Sequence, residues 1–94
     1  VMEELRCIVL DERWLTRMLA IERQSFPRPW SEIHFLQEFQ NPSSLLLGAV
    51  REEELLGHAL SSTVETELHL LTLAVSPEHR RLGLGEKLLR ETLR

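Results

Sequence analysis

Residues 68–94, LHLLTLAVSPEHRRLGLGEKLLRETLR, combine an apolar segment, a loop with two glycines and the start of an amphipathic helix. The near-continuous apolar run LHLLTLAV (68–75) predicts a β-strand that is buried on both faces and lies at the centre of a sheet. Pro77 prevents this strand from continuing. After Gly85, leucines recur at the spacing of a helix, at Leu88, Leu89 and Leu93.

The loop between strand and helix, Arg80–Gly85 (RRLGLG), has the composition of an anion-binding site. Glycine adopts positive φ and lets a ligand approach the backbone, and the N–H groups at a helix start carry partial positive charge. A glycine-containing turn with solvated arginines remains the alternative. Two other phosphate loops are excluded: no hydroxyl residue follows Lys87, as a P-loop requires, and Leu88 occupies the last glycine position of the dinucleotide fingerprint.

The upstream sequence predicts three more strands. They are LRCIVL (5–10), SLLLGAV (44–50) and LLGHALSSTVE (55–65), and the last two form a hairpin around the charged residues 52–54.

Two helices are predicted between the first two of these strands. Asp11 caps a helix that runs to about Ser25, the prolines of FPRPW end it, and Ser31 caps SEIHFLQEFQ, with Trp30 placed to pack against Phe35. The predicted fold is therefore α/β, with an α+β mixed sheet in the order β1-α1-α2-β2-β3-β4-α3. The size of the chain predicts a single domain over residues 1–94.

The charge distribution limits the classes of partner. The net formal charge is −4, but residues 1–77 hold 6 basic and 12 acidic side chains, whereas residues 78–94 hold 5 and 3. An acidic body lacks the cationic face that nucleic acids require, and the basic end suits a small anion. The single Cys7, the lack of a membrane-length apolar run and histidine spacings that match no metal site predict a cytoplasmic protein without membrane partner or metal.

Two segments resemble a known superfamily. LLTLAVSPEHRRLGLGEKLLRETL is similar to the acetyl-coenzyme-A loop of the GNAT N-acetyltransferases. IERQSFPRPWSEIHFLQEF resembles the first two helices of the branch that acetylates ribosomal-protein alanines. The resemblance covers about half of the chain and implies direct acetyl transfer from acetyl-CoA to the amino terminus of a protein or peptide.

The resemblance also implies where the donor binds. Backbone amides of the loop hold the pyrophosphate, and Arg80 or Arg81 adds charge near it. The end of the preceding strand hydrogen-bonds the pantetheine arm. The cofactor-binding residues implied are Leu73, Ala74, Val75, Arg80, Arg81, Leu82, Gly83, Leu84, Gly85 and Glu86.

The acceptor groove implied by the resemblance is lined by the loop between the first two helices, Phe26, Pro27, Arg28 and Pro29. The candidate base within the chain is Glu67, with His69 as a weaker candidate. The principal base and a tyrosine acid are expected on segments that would follow Arg94, and this sequence contains no tyrosine.

We therefore expect a truncated domain that lacks the C-terminal strands and helix and is impaired in transfer. The uncovered edge of strand 4 predicts self-association. A non-catalytic module that binds acyl-CoA or another protein is the alternative function.

Overall fold

The computed structural model describes residues 4–94, and it confirms the predicted order of elements. The first half of this part of the chain forms β1 (Arg6–Val9), α1 (Leu15–Ser25) and α2 (Glu32–Phe39). The second half forms β2 (Ser44–Arg51), β3 (Glu54–Val64), β4 (Glu67–Val75) and α3 (Leu84–Thr92). Short 3₁₀ turns at Glu12–Trp14 and Pro77–His79 precede α1 and follow β4.

The four strands form one antiparallel sheet in the spatial order β1-β2-β3-β4. Within residues 4–94, β4 is therefore an edge strand, which agrees with the uncovered edge of strand 4 expected above. The burial on both faces and the central position predicted from LHLLTLAV are wrong for this sheet, because residues 67–71 of β4 are exposed. The strands buried on both faces are the two interior ones, β2 at residues 46–50 and β3 at residues 55–62. The leucines of β4 indicated a buried strand, but Leu70 and Leu71 line an open cleft rather than a closed core.

The two faces of the sheet carry separate apolar cores. α1 and α2 cover one face, where Met18, Phe35 and Leu60 are almost fully buried. Burying a side chain such as Phe35 contributes roughly 1.5–3 kcal/mol. α3 covers the other face through Leu84 and Leu88. Gly57 of β3 lets α3 approach, because an added Cβ would lie 3.3 Å from Leu88 Cδ1 and 3.0 Å from a β4 carbonyl oxygen.

The segment between α1 and α2 is fixed at both ends. Phe26 N–H donates to Glu22 O and closes α1. At the start of α2, His34 Nδ1 accepts from Ser31 N–H at 3.2 Å, and the rings of Trp30 and Phe35 lie 5.4 Å apart, as the predicted cap and packing require. Asp11 differs from its prediction, because it caps the 3₁₀ turn and α1 begins only at Leu15.

The helices of the described residues are all short or polar. Within residues 4–94, none has the length and apolar character needed to cross a membrane.

Candidate functional site

The loop before α3 presents unpaired backbone donors. Arg81 and Gly83 have positive φ angles of 68° and 77°, and Gly83 is the N-cap of α3, which begins one residue before the predicted Gly85. The first main-chain hydrogen bond of the helix runs from Lys87 N–H to Gly83 O at 3.0 Å. The N–H groups of Leu84, Gly85 and Glu86 thus have no partner within the helix, and Gly83 has no side chain to cap them. This arrangement suits an anion.

The two glycines differ in what the fold requires of them. A Cβ at Gly83 would meet no atom within 4 Å, so only the positive φ favours glycine there. A Cβ at Gly85 would make an ordinary contact of 3.9 Å with Val75 Cγ2. Packing therefore tolerates a larger residue at position 85, and the space in front of it is open to a ligand.

The two loop arginines have different surroundings. Arg80 Nε donates to Val75 O at 3.1 Å, and its guanidinium also donates to Ser25 Oγ at 3.1 Å. Arg80 thus joins the loop to the end of β4 and to α1. Arg81 is exposed, so it is the freer of the two to meet a ligand.

The free edge of β4 offers further backbone groups. Ser76 N–H donates to Leu56 O of β3 at 2.8 Å. Because backbone groups alternate in direction along a strand, those of Leu73 and Val75 face the open edge, and those of Ala74 face β3. Of the three predicted pantetheine contacts, two are therefore available along this edge, and the Val75 carbonyl already accepts from Arg80.

Two adjoining clefts follow this edge. The smaller, of about 370 Å³, lies between the end of α1, the end of β4 and Gly85. The larger, of about 630 Å³, lies between the Phe26–Trp30 segment and residues 70–73 of β4. Phe26 and Leu73 line both clefts, so the two form a continuous surface along β4.

The predicted acceptor residues lie in the larger cleft, with one exception. Phe26, Pro27 and Arg28 line it, whereas Pro29 is absent from its wall. Glu67 lies eight residues from Val75, roughly 26 Å along the strand, and does not line either cleft. The His69 ring lies beside it, with Nε2 3.9 Å from Glu67 Oε1. The structure therefore does not bring Glu67 to the clefts.

A buried polar cluster behind the larger cleft escaped the sequence analysis. Glu22 Oε2 accepts from Thr72 Oγ1 at 2.6 Å and from His58 Nε2 at 2.9 Å. Glu22 Oε1 accepts from Trp30 N–H at 3.1 Å. We call Glu22, His58 and Thr72 the buried triad. Glu22 and His58 are fully buried, and Thr72 is 7% exposed.

The sequence contains a pattern that could have indicated the triad. Glu22 follows Trp14 and Met18 at intervals of four, which places a carboxylate on the buried stripe of α1, and His58 interrupts an apolar strand. The partners lie 36 and 50 residues from Glu22, so only the fold brings them together. Among the described residues no group of three or more His, Cys, Asp or Glu side chains could hold a metal ion.

Hydrogen bonds keep the Glu22 carboxylate ionised. Burial raises the pKa of this group, but the hydrogen bonds from His58, Thr72 and the Trp30 backbone outweigh burial. The pKa of Glu22 therefore lies below its ordinary value. A buried carboxylate with several donors is a stable acceptor rather than a proton carrier near neutral pH.

Comparisons with known proteins agree on the family. Residues 15–94 match the model of the Acetyltransferase (GNAT) family. A candidate ribosomal-protein bS18-alanine N-acetyltransferase of Bacillus subtilis strain 168 is 31% identical over 80 residues, which cover 84% of this chain and 53% of that relative. The chain thus spans about half the length of this curated relative.

Solved structures show the same fold. The ribosomal-protein-S18-alanine N-acetyltransferase from Escherichia coli superposes with a TM-score of 0.85 and 27% identity, over 94% of this chain and 56% of that one. PaiA N-acetyltransferase from Thermoplasma acidophilum, solved in complex with coenzyme A, superposes with a TM-score of 0.85 and 21% identity, over 96% of this chain and 70% of that one. Given the glycine loop, the matching sheet and the match to the family model, this chain belongs to the acetyltransferase (GNAT) family.

Proposed function

We propose that this chain supplies the donor site and one wall of the acceptor site of an N-acetyltransferase that acts on protein amino termini. The observation that carries the proposal is the continuous surface along the free edge of β4. It begins at the unpaired amides of α3 and ends at the Phe26–Trp30 segment. Donor and acceptor can therefore lie along one strand, with their reacting ends near Leu73.

The residues present fit acetyl-CoA. The amides of Leu84, Gly85 and Glu86 have no partner within the helix, and Gly85 lines the smaller cleft with no Cβ to hold a diphosphate away. The outward backbone groups of Leu73 and Val75 provide donors and acceptors for an amide-containing arm that runs beside β4. The coenzyme A complex of the Thermoplasma relative supports this assignment.

Acetyl-CoA would supply an activated thioester. In direct transfer the amine nitrogen attacks the carbonyl carbon, the amine proton passes to a base, and the C–S bond breaks with its electron pair on sulfur. The products are an amide and a thiolate, which takes up a proton to become the thiol. The contribution of this chain is to align the two reactants and to present the Leu73 N–H to the developing negative charge on oxygen.

The acceptor cleft fits a short apolar peptide end. Its wall combines Phe26, Pro27 and Trp30 with the leucines of β4, and Arg28 is the charged residue among those that line it. The acceptor class follows the Bacillus and Escherichia relatives, whose names specify a ribosomal-protein alanine.

A second function is favoured by one feature of the larger cleft. None of the described residues that line it is a carboxylate or an imidazole. A chain without a proton acceptor there would bind acyl-CoA without transferring the acetyl group efficiently, and would serve as a binding module.

Two measurements separate these functions. Isothermal titration with acetyl-CoA tests the donor site, and saturable binding is expected. Mass spectrometry of a peptide with an amino-terminal alanine then tests transfer. Binding with transfer supports the enzyme, binding without transfer supports the module, and failure to bind acetyl-CoA refutes both. Arg23→Ala, an exposed change on α1 outside both clefts, is the control and should bind normally.

A further inference from the structure

The walls of the larger cleft are joined from behind by one carboxylate. Trp30 belongs to the loop wall and Thr72 to the β4 wall, and both line the cleft. Glu22 Oε1 accepts from the Trp30 backbone, and Glu22 Oε2 accepts from the Thr72 hydroxyl. The two oxygens of a single rigid group therefore link one wall to the other.

We propose that Glu22 is a positioning residue that sets the spacing of the acceptor cleft, with Thr72 as its attachment to β4. This inference rests on the proposed function, because it assigns the acceptor side of that site. It differs from a general role in stability, since the carboxylate acts on the two segments that would hold the acceptor.

The chemistry of the cluster explains why a carboxylate is suited to this position. Three donors converge on it: the Trp30 amide, the Thr72 hydroxyl and His58 Nε2. An ionised carboxylate only accepts hydrogen bonds and has room for all three. Because His58 faces an acceptor, its Nε2 carries the proton, and its ring is held edge-on to Phe35 at a centroid distance of 5.7 Å.

The donor site is separate from this network. The smaller cleft is lined by Ser25, Phe26, Arg80, Gly85 and residues 73–75, and none of these belongs to the buried triad. A substitution that removes a hydrogen bond of the triad should therefore weaken acceptor binding more than donor binding. A general loss of folding would weaken both equally.

The test compares Thr72→Val, which keeps the shape but removes the hydroxyl, with Thr72→Ser, which restores it. Affinities are measured for coenzyme A and for coenzyme A joined through an acetyl bridge to the amino terminus of an Ala-Gly-Gly peptide. In Thr72→Val we expect coenzyme A affinity within twofold of the parent chain and about tenfold weaker binding of the bisubstrate compound. Thr72→Ser should recover most of the loss.

Amide hydrogen exchange of the ligand-free chain gives a readout that does not depend on the function. The Trp30 amide should exchange at least tenfold faster in Thr72→Val, whereas the amide of Ala49, which lies in β2 and does not pair with β4, should change little. Thr63→Val makes the same chemical change at an exposed position of β3 and should leave both amides and both affinities unaltered.

Three outcomes would overturn the inference. These are equal losses for both ligands, an unchanged bisubstrate affinity in Thr72→Val, or a Trp30 amide that stays as protected as in the parent chain. If the parent chain binds neither ligand, the proposed function fails, and the Trp30 exchange rate alone decides whether Glu22 spaces the two walls.

Discussion

At the end of β4 nearest α3, the groups that could contact a ligand belong to the main chain. Where β4 faces Trp30, by contrast, buried side chains connect the two walls of the larger cleft. The first region consists of the amides of Leu84–Glu86 and the outward backbone of β4. The second depends on one carboxylate with three donors, two of which lie 36 and 50 residues away along the chain. Both regions flank the same strand, yet they are sensitive to different changes.

This difference has a physical origin. Backbone amides are present whatever the side chain, so the α3 end requires only a suitable backbone path and the absence of obstruction. The triad requires specific side chains, because a buried donor or acceptor that loses its partner costs the full desolvation free energy. Substitutions at the α3 end should therefore affect donor binding, whereas substitutions in the triad should affect stability and the acceptor cleft.

Glu22→Ala should have the largest effect and act mainly on stability. It leaves His58, Thr72 and the Trp30 amide without their acceptor in a buried site, for an expected loss of about 3–5 kcal/mol in the free energy of unfolding. Urea denaturation followed by Trp fluorescence measures this loss. Glu12→Ala removes an exposed carboxylate from the turn before α1 and should change stability by less than about 0.5 kcal/mol. A Glu22→Ala chain as stable as the control would contradict the role given to the triad.

Gly85→Ala should affect binding without harming the fold. The new Cβ has ordinary packing against Val75, so the free energy of unfolding should be unchanged or higher by up to about 1 kcal/mol. The same methyl group projects where the diphosphate is proposed to lie, and acetyl-CoA affinity should fall about tenfold, or ~1.4 kcal/mol. Titration calorimetry measures the change.

Leu82→Ala is the matched control for the donor loop, because it shortens an exposed side chain and keeps the amide. The affinity of the Leu82→Ala variant for acetyl-CoA should stay within about twofold of that of the parent chain. An equal loss in Leu82→Ala and Gly85→Ala would mean that side chains, not backbone amides, hold the ligand.

The pH dependence of stability should report Glu22. Its pKa is lower in the folded chain than in the unfolded chain, so the stabilisation is fully present above the ordinary glutamate pKa of about 4.3. It is lost as pH falls through the lower folded value. Urea midpoints between pH 6 and 3 should therefore fall less steeply in Glu22→Gln than in the parent chain, and parallel curves would rule out this contribution.

Self-association through β4 should give the smallest effect. Leu68 lies on this edge strand, is 44% exposed and lies outside both clefts, so Leu68→Lys adds a charge without altering the proposed site. We expect the weight-average mass in sedimentation velocity to shift towards the monomer in this variant. If the parent chain is monomeric across the concentration range, the prediction of self-association is wrong.

The prediction that β4 is buried on both faces was wrong, and the clefts explain why. A run of apolar residues does not distinguish a buried strand from a strand that lines an open cleft, and Leu70 and Leu71 line an open cleft. The sequence of β3 contains His58 and two serines and is less apolar than that of β4, although β3 is an interior strand of the sheet. Its polar residues are accommodated by pairing, as the His58 contact with Glu22 illustrates.

Local sequence was sufficient for the order of elements, the end of α1 at Ser25, the Ser31 cap and the glycine turn that precedes α3. Each depends on backbone preferences and on neighbours within a few residues, which the printed sequence contains. The burial of β3 rather than β4, the attachment of Arg80 to Val75 and Ser25, and the buried triad were decided by the tertiary structure. They join groups up to 55 residues apart, and no local pattern specifies which distant donor a carboxylate or carbonyl will meet.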